Sequence, residues 1–292
     1  MSELKVTSTV GMDLAARPKN TAFCAIRWGD GPPVLTHLCR GKSVDNETGI
    51  DLHDKYLVNV LVGLYSGFES APITKAAIDA PFGWPDAFVE AVGDYATAIR
   101  WRYGPDFTEV PEQVNSLRFR KTDLHVKETT GRNPLSVSST LLGTVAMRCA
   151  AILSELEFKD VAVSRDGHGM VAEVYPDPAI RMWAQATIAG LPGKMGSYKR
   201  GSGEKIRERS ALRVMLCRAL TDPIGLQDPD GLLVGCEEDD HCLDALVCAL
   251  LARAVELNQT MPPPDQLAEI VSREGWIHLP SHPIEDLVGQ ST

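Results

Sequence analysis

The sequence predicts an α/β domain in which helices cover a mixed sheet. Three observations carry this class. Residues 1–41 alternate apolar and polar positions as three short strands; two more short apolar stretches, ending near Asp79 and Pro176, are set apart by helical segments; and residues 243–257 are apolar on nearly every side, as in a helix buried in a domain interior.

Taken in order, "KVTSTVGMDLA", "NTAFCAIRW" and "PPVLTHLCR" are strand-like and joined by the turn-prone "ARPK" and "GDG". Residues 51–66 carry helical spacing behind an acidic first residue. "ITKAAIDAPFGWP" (73–85) is a strand that stops at Asp79 and Pro81, and a helix starting at Pro85–Asp86 runs toward Trp101. Residues 86–137 read as a helical, charged insertion. A helix over 138–156, a strand over 169–176 and a helix to about Ile188 follow. A basic, glycine-rich link leads into a helix ending at Thr221, and "EEDDHCLDALVCALLARAVEL" (237–257) is the buried helix. "MPPPDQ" breaks the chain, and "EGWIHLP" (274–280) is a candidate last strand. No repeat is present, so residues 1–292 are expected to form one domain.

Composition narrows the function. With 292 residues, 44% hydrophobic and 23% charged, the chain has ordinary globular composition. No apolar run approaches the ~20 residues that cross a bilayer, and "MSELKVTSTV" lacks the apolar core of a signal peptide. The expectation is a cytoplasmic protein without a membrane partner. Seven cysteines with no C-x-x-C pair point to reduced, core-filling thiols. The net charge of −10 argues against coating long nucleic acid, which needs many phosphate contacts. One segment runs against that total: within 190–213, residues 194–213 hold seven Lys or Arg against two Glu.

Carboxylates fall at strand ends. Asp13 closes the first strand, Asp79 closes the fourth, Glu173 lies in the fifth, and Asp239, Asp240, His241 and Asp244 crowd the start of the buried helix. Ionised carboxylates are costly to bury unless paired or bound to a cation. Oxygen ligands of this kind suit magnesium or manganese, and helical spacing lets Asp240, His241 and Asp244 face one point. Local readings stand beside this one. Asp239 or Asp240 would also serve as a helix cap, and Glu173 as partner of a nearby arginine.

These residues, with "GMDLAARPKNTAFCAI", "AIDAPFGWP", "RKTD" (120–123), "EVYP", "DALVCALLARA" and "EGWIHLP", resemble the family called domain of unknown function 429, described as predicted nucleases of RNase H-like fold. The resemblance runs from residue 7 to about 280. It implies a mixed five-stranded sheet flanked by helices, with three antiparallel strands, two parallel ones and a late acidic helix. It implies magnesium- or manganese-dependent phosphodiester hydrolysis with Asp13, Asp79 and Asp244 as catalytic metal ligands, Asp240 and Glu173 completing the set, and His241 assisting. Arg120, Lys121, Lys199, Arg200, Lys205 and Arg207 are then the phosphate contacts of a DNA or RNA substrate. Two other classes are weighed against it. "GMDLAARPKNTAF" looks like the first phosphate loop of actin-like ATPases and sugar kinases, but no second such lobe and no G-x-x-x-x-G-K-[ST] loop are present. A non-catalytic nucleic-acid or protein-binding module leaves the acidic set unused.

Overall fold

A computed structural model of the chain describes residues 6–41, 51–64, 71–98, 101–103, 109–188 and 195–288. Strands β1 (Thr7–Asp13), β2 (Ala22–Trp28), β3 (Val34–Arg40), β4 (Ile73–Asp79), β5 (Val171–Val174) and β6 (Ile277–His278) form one sheet in the order β3-β2-β1-β4-β5-β6. β1, β2 and β3 pair antiparallel, while β4, β5 and β6 extend the sheet parallel from β1. The expected count of five is corrected to six. Gly275, with φ of 92°, turns the chain out of a helix so that Ile277 and His278 pair with Glu173 and Val174.

The helices are α1 (Asp54–Leu61), α2 (Asp86–Ala98), α3 (Pro111–Arg118), α4 (Lys121–Thr130), α5 (Leu142–Phe158), α6 (Pro176–Thr187), α7 (Lys205–Thr221), α8 (Val234–Glu238), α9 (Asp240–Glu256) and α10 (Ala268–Glu274). α5 begins later than the expected Ser138. The hydroxyls of Ser136, Ser138, Ser139 and Thr140 bond one another and nearby backbone there, which competes with helical bonding. α8 and α10 were hidden among turn residues. Residues 99–100 and 104–108 of the insertion and 190–194 of the basic segment lie outside the described residues. Among the described residues no helix is long and apolar enough to cross a membrane.

Strand alternation divides the core into two layers. Val10, Met12, Phe23, Ala25, Ala76 and Ile78 face α1 and α5. Ala22, Cys24, Ile26 and Ala77 face α6, α7 and α9. α9 is apolar on nearly every side, as an enclosed helix must be: all but three of its 17 residues are buried. It lies on β1 across Gly11, where a Cβ would strike the Ala245 carbonyl and Ala249 amide. Thr9, also on this face, donates its hydroxyl to the Ala249 carbonyl at 2.9 Å.

At the far end of the sheet, Lys75 is buried and donates to the carbonyls of Gly167 and Gly169. His278 donates Nε2–H to the Asp166 carbonyl (2.9 Å) and accepts at Nδ1 from the Thr260 hydroxyl (2.9 Å). Burial pushes the His278 imidazole down to about 4 from an ordinary 6.5. The fold therefore binds this proton less readily than the unfolded chain does. Its contribution is intact above the unfolded value and is lost as pH falls toward the folded one, roughly 3 kcal/mol in all. Urea midpoints of the parent should drop more steeply between neutral pH and about pH 4 than those of His278→Gln. Parallel pH curves for the two proteins would contradict this.

Candidate active site

Asp13 and Asp79 end adjacent parallel strands and are direct register partners. Asp13 follows the alternation of Thr9 and Gly11, and Asp79 that of Ala77, so both lie on the α9 face. The close approach of α9 over Gly11 delivers the helix start to the same place.

Asp239 is the helix cap: its side chain accepts the His241 amide at 2.9 Å and pairs with Arg40 at the end of β3. His241 then reaches Asp13, with Nδ1 2.6 Å from Oδ2. Because a carboxylate only accepts, Nδ1 carries a hydrogen, and in the neutral ring Nε2 holds the lone pair. One turn deeper, Asp244 has no exposed surface. It accepts the Tyr198 hydroxyl at 2.7 Å on Oδ1 and pairs through Oδ2 with the Lys199 ammonium. Asp240 accepts the Arg200 amide at 3.0 Å. Both helix acids thus face the Tyr198–Arg200 segment. Arginines of α7 hold that segment from behind, as Arg213 donates to the Tyr198 carbonyl (3.0 Å) and Arg209 to the Lys199 carbonyl (2.8 Å).

The electrostatics are those of crowded acids. Burial, and then the charge of Asp13, push the Asp79 carboxyl well above its usual range. Burial raises Asp244 to about 7 even though Lys199 acts to lower it. Desolvation works against the Lys199 ammonium, but Asp244, Asp13 and Asp79 outweigh it and raise its pKa. The hydrogen bond to Asp13 raises His241 despite partial burial. The Asp79 carboxylate accepts no hydrogen bond and forms no ion pair among the described residues.

Two assignments from the sequence are corrected. Glu173 pairs in register with Ile78 rather than Asp79, so it points to the α5 face, away from Asp13. There it meets Arg120, which is only 2% exposed and donates to Glu173 at 2.7 and 2.9 Å. Glu173 is therefore the arginine's partner and not a metal ligand, and Arg120 is sealed from any phosphate. Lys121, Arg200, Lys205 and Arg207 are exposed. Lys199 and Arg200 adjoin the acids; Lys205 and Arg207 continue onto the first turns of α7.

Two residues went unread in the sequence. Tyr198 sits in a glycine-rich basic link in which only the Lys and Arg residues carried a functional reading, as phosphate contacts. Arg148, the one cation within the apolar run of α5, did leave a signal. It donates to the Ala15 carbonyl and the Thr21 hydroxyl at 2.6 Å each, and to Asp54, so it anchors the loop that follows Asp13.

Among the described residues no three Asp, Glu, His or Cys side chains close on one metal-sized position. The chemistry of the donors nevertheless fits a hard divalent cation. Burial and the charge of Asp13 raise the proton affinity of both Asp79 and Asp244, Asp79 has no side-chain partner among the described residues, and the cation now among the acids is a lysine on a flexible stem.

Fold and site together define an α/β protein with an acidic centre at the carboxyl ends of adjacent parallel strands, backed by a buried helix. Residues 11–268 match the model of the family described as protein of unknown function (DUF429), and the chain belongs to that family. No curated protein and no solved structure matches it.

Proposed function

We propose that this protein is a magnesium- or manganese-dependent phosphodiesterase, a nuclease of RNase H-like type, centred on Asp13, Asp79 and Asp244. The observation that carries the reading is the in-register meeting of Asp13 and Asp79 beside Asp244, with Asp79 left unpartnered. The strand order and directions, three antiparallel then parallel, support the RNase H-like comparison. A bound divalent ion would polarise a phosphoryl oxygen and lower the pKa of its water. Asp13 orients His241 through Nδ1–H, leaving Nε2 as the ring nitrogen able to take a proton. Arg200, Lys205 and Arg207 supply phosphate contacts, whereas Lys121 lies with the Arg120–Glu274 cluster on the other face. The net charge of −10 favours a short or shaped nucleic acid over a long duplex.

Manganese calorimetry on the parent, Asp13→Asn and Asp79→Asn tests this, followed by cleavage of single-stranded, duplex and branched DNA and RNA. Both variants should lose metal binding and cleavage. Asp79→Asn should at the same time unfold at a higher temperature, a gain of about 1 kcal/mol, because the fold disfavours the ionised carboxyl. Unchanged manganese affinity in Asp13→Asn, or cleavage retained by both variants, would refute the reading.

A further inference from the structure

We propose that the Lys199 ammonium and the divalent cation share one seat on Asp244, so that loading the centre requires the Lys199 side chain to swing out. This rests on the metal-dependent reading above.

The geometry separates a fixed acceptor from a movable donor. Asp244 is fully enclosed, whereas the Lys199 side chain keeps 44% of its exposure and so has a route to solvent. Lysine is a compact point charge on a four-carbon stem, without the planar fork that locks an arginine onto a carboxylate. The Tyr198 ring lies 5.2 Å from the ammonium, a weak attraction that leaves the stem free to rotate.

The backbone around it is fixed. The Tyr198 hydroxyl stays on Oδ1 of Asp244, the Arg200 amide is held by Asp240, and Arg209 and Arg213 hold the Lys199 and Tyr198 carbonyls. The exchange therefore needs side-chain rotation alone.

Competition follows from charge. The ammonium interacts with Asp13 and Asp79 as well as Asp244. Apart from the His241 imidazole on Asp13, no other basic side chain pairs with these three acids among the described residues. An ammonium and a dication within a few ångströms repel strongly in a partly buried site, so one leaves as the other enters. Neutralised by lysine, the acids can stay close without metal. Displaced by metal, Lys199 lies at the rim beside Arg200, where a substrate phosphate would meet both. The inference makes Lys199 a latch on the centre rather than a fixed phosphate contact.

Lys199→Met keeps the stem and removes the charge. Calorimetry should show it binding manganese about tenfold more tightly than the parent. Without metal, the variant should also melt below the parent, with manganese restoring the loss. The unmodified protein gives a second readout: acylation of Lys199 by an amine-reactive reagent, followed by mass spectrometry, should accelerate at saturating manganese while Lys121 and Lys205 hold steady. Equal or weaker manganese binding by Lys199→Met, with binding intact in the parent, overturns the latch and leaves the metal reading standing. Absence of manganese binding in both proteins removes the metal reading and the latch with it. If Lys199→Met does not fold, the acylation decides, and a rate unaffected by manganese refutes the proposal.

Discussion

Replacing Arg120 by alanine is expected to destabilise the protein by about 3–5 kcal/mol, the usual result of stranding buried charges. All five guanidinium N–H groups are used. Nη1 serves Glu173 and the Glu274 carbonyl, Nη2 serves Glu173 and Asp123, and Nε serves Asp123. Glu173 also accepts the Phe82 amide, and the Glu274 carboxylate accepts the Asp86 and Lys121 amides at the starts of α2 and α4. The cluster therefore fastens the inserted helices to β5 and α10. Gly275 is needed beside it, since a Cβ there would lie 2.7 Å from the Glu173 carboxylate. Without arginine, two acids with almost no solvent contact lose their counter-charge. Urea denaturation checks the size of the loss. Adding Glu173→Gln and Asp123→Asn to Arg120→Met should recover part of it, because charge burial is then relieved on both sides. A loss below about 1 kcal/mol for Arg120→Ala would mean that the cluster is not the clamp described.

Gly11→Val should be as damaging, for a different reason. The added side chain meets the backbone of α9 at Ala245 and Ala249, and a helix backbone has no rotamer into which to retreat. Overpacking against side chains costs about 1–3 kcal/mol, and a clash with main chain belongs at or beyond the top of that range. The helix would have to lift from β1, carrying His241 away from Asp13 and Asp244 away from Asp79. Thermal unfolding and manganese calorimetry should fall together. Val10→Ala on the opposite face of β1 removes core volume without touching α9, so it should lower stability while sparing manganese affinity. Equal metal binding by Gly11→Val would show that the approach of α9 does not build the site.

The site was partly legible in advance. Asp13 and Asp79 could be read from short apolar strands that end in an acid, since a strand's end is marked by the residues that stop it. Asp244 was legible because it lies where neither a helix cap nor solvent accounts for a carboxylate. Glu173 and Arg120 misled for a physical reason: which face a strand residue takes depends on its pairing register, and register is set between strands distant in sequence. Glu173 is paired with Ile78, one position short of Asp79, and that single step turns it to the other layer.

What the sequence determined by itself is the local part: alternation for the strands, an enclosed apolar helix for α9, an acid at each of two strand ends, and the family motifs. These follow from periodicity and from the cost of burying charge, which act within a few residues of chain. The tertiary structure alone decided which charges meet. It put Asp13 beside Asp79 by parallel pairing, brought α9 onto β1 through Gly11, turned Glu173 to Arg120, and seated Lys199 on Asp244 across 45 residues of chain. Electrostatic partners are chosen by proximity in space, and proximity between distant segments is settled only when the layers pack.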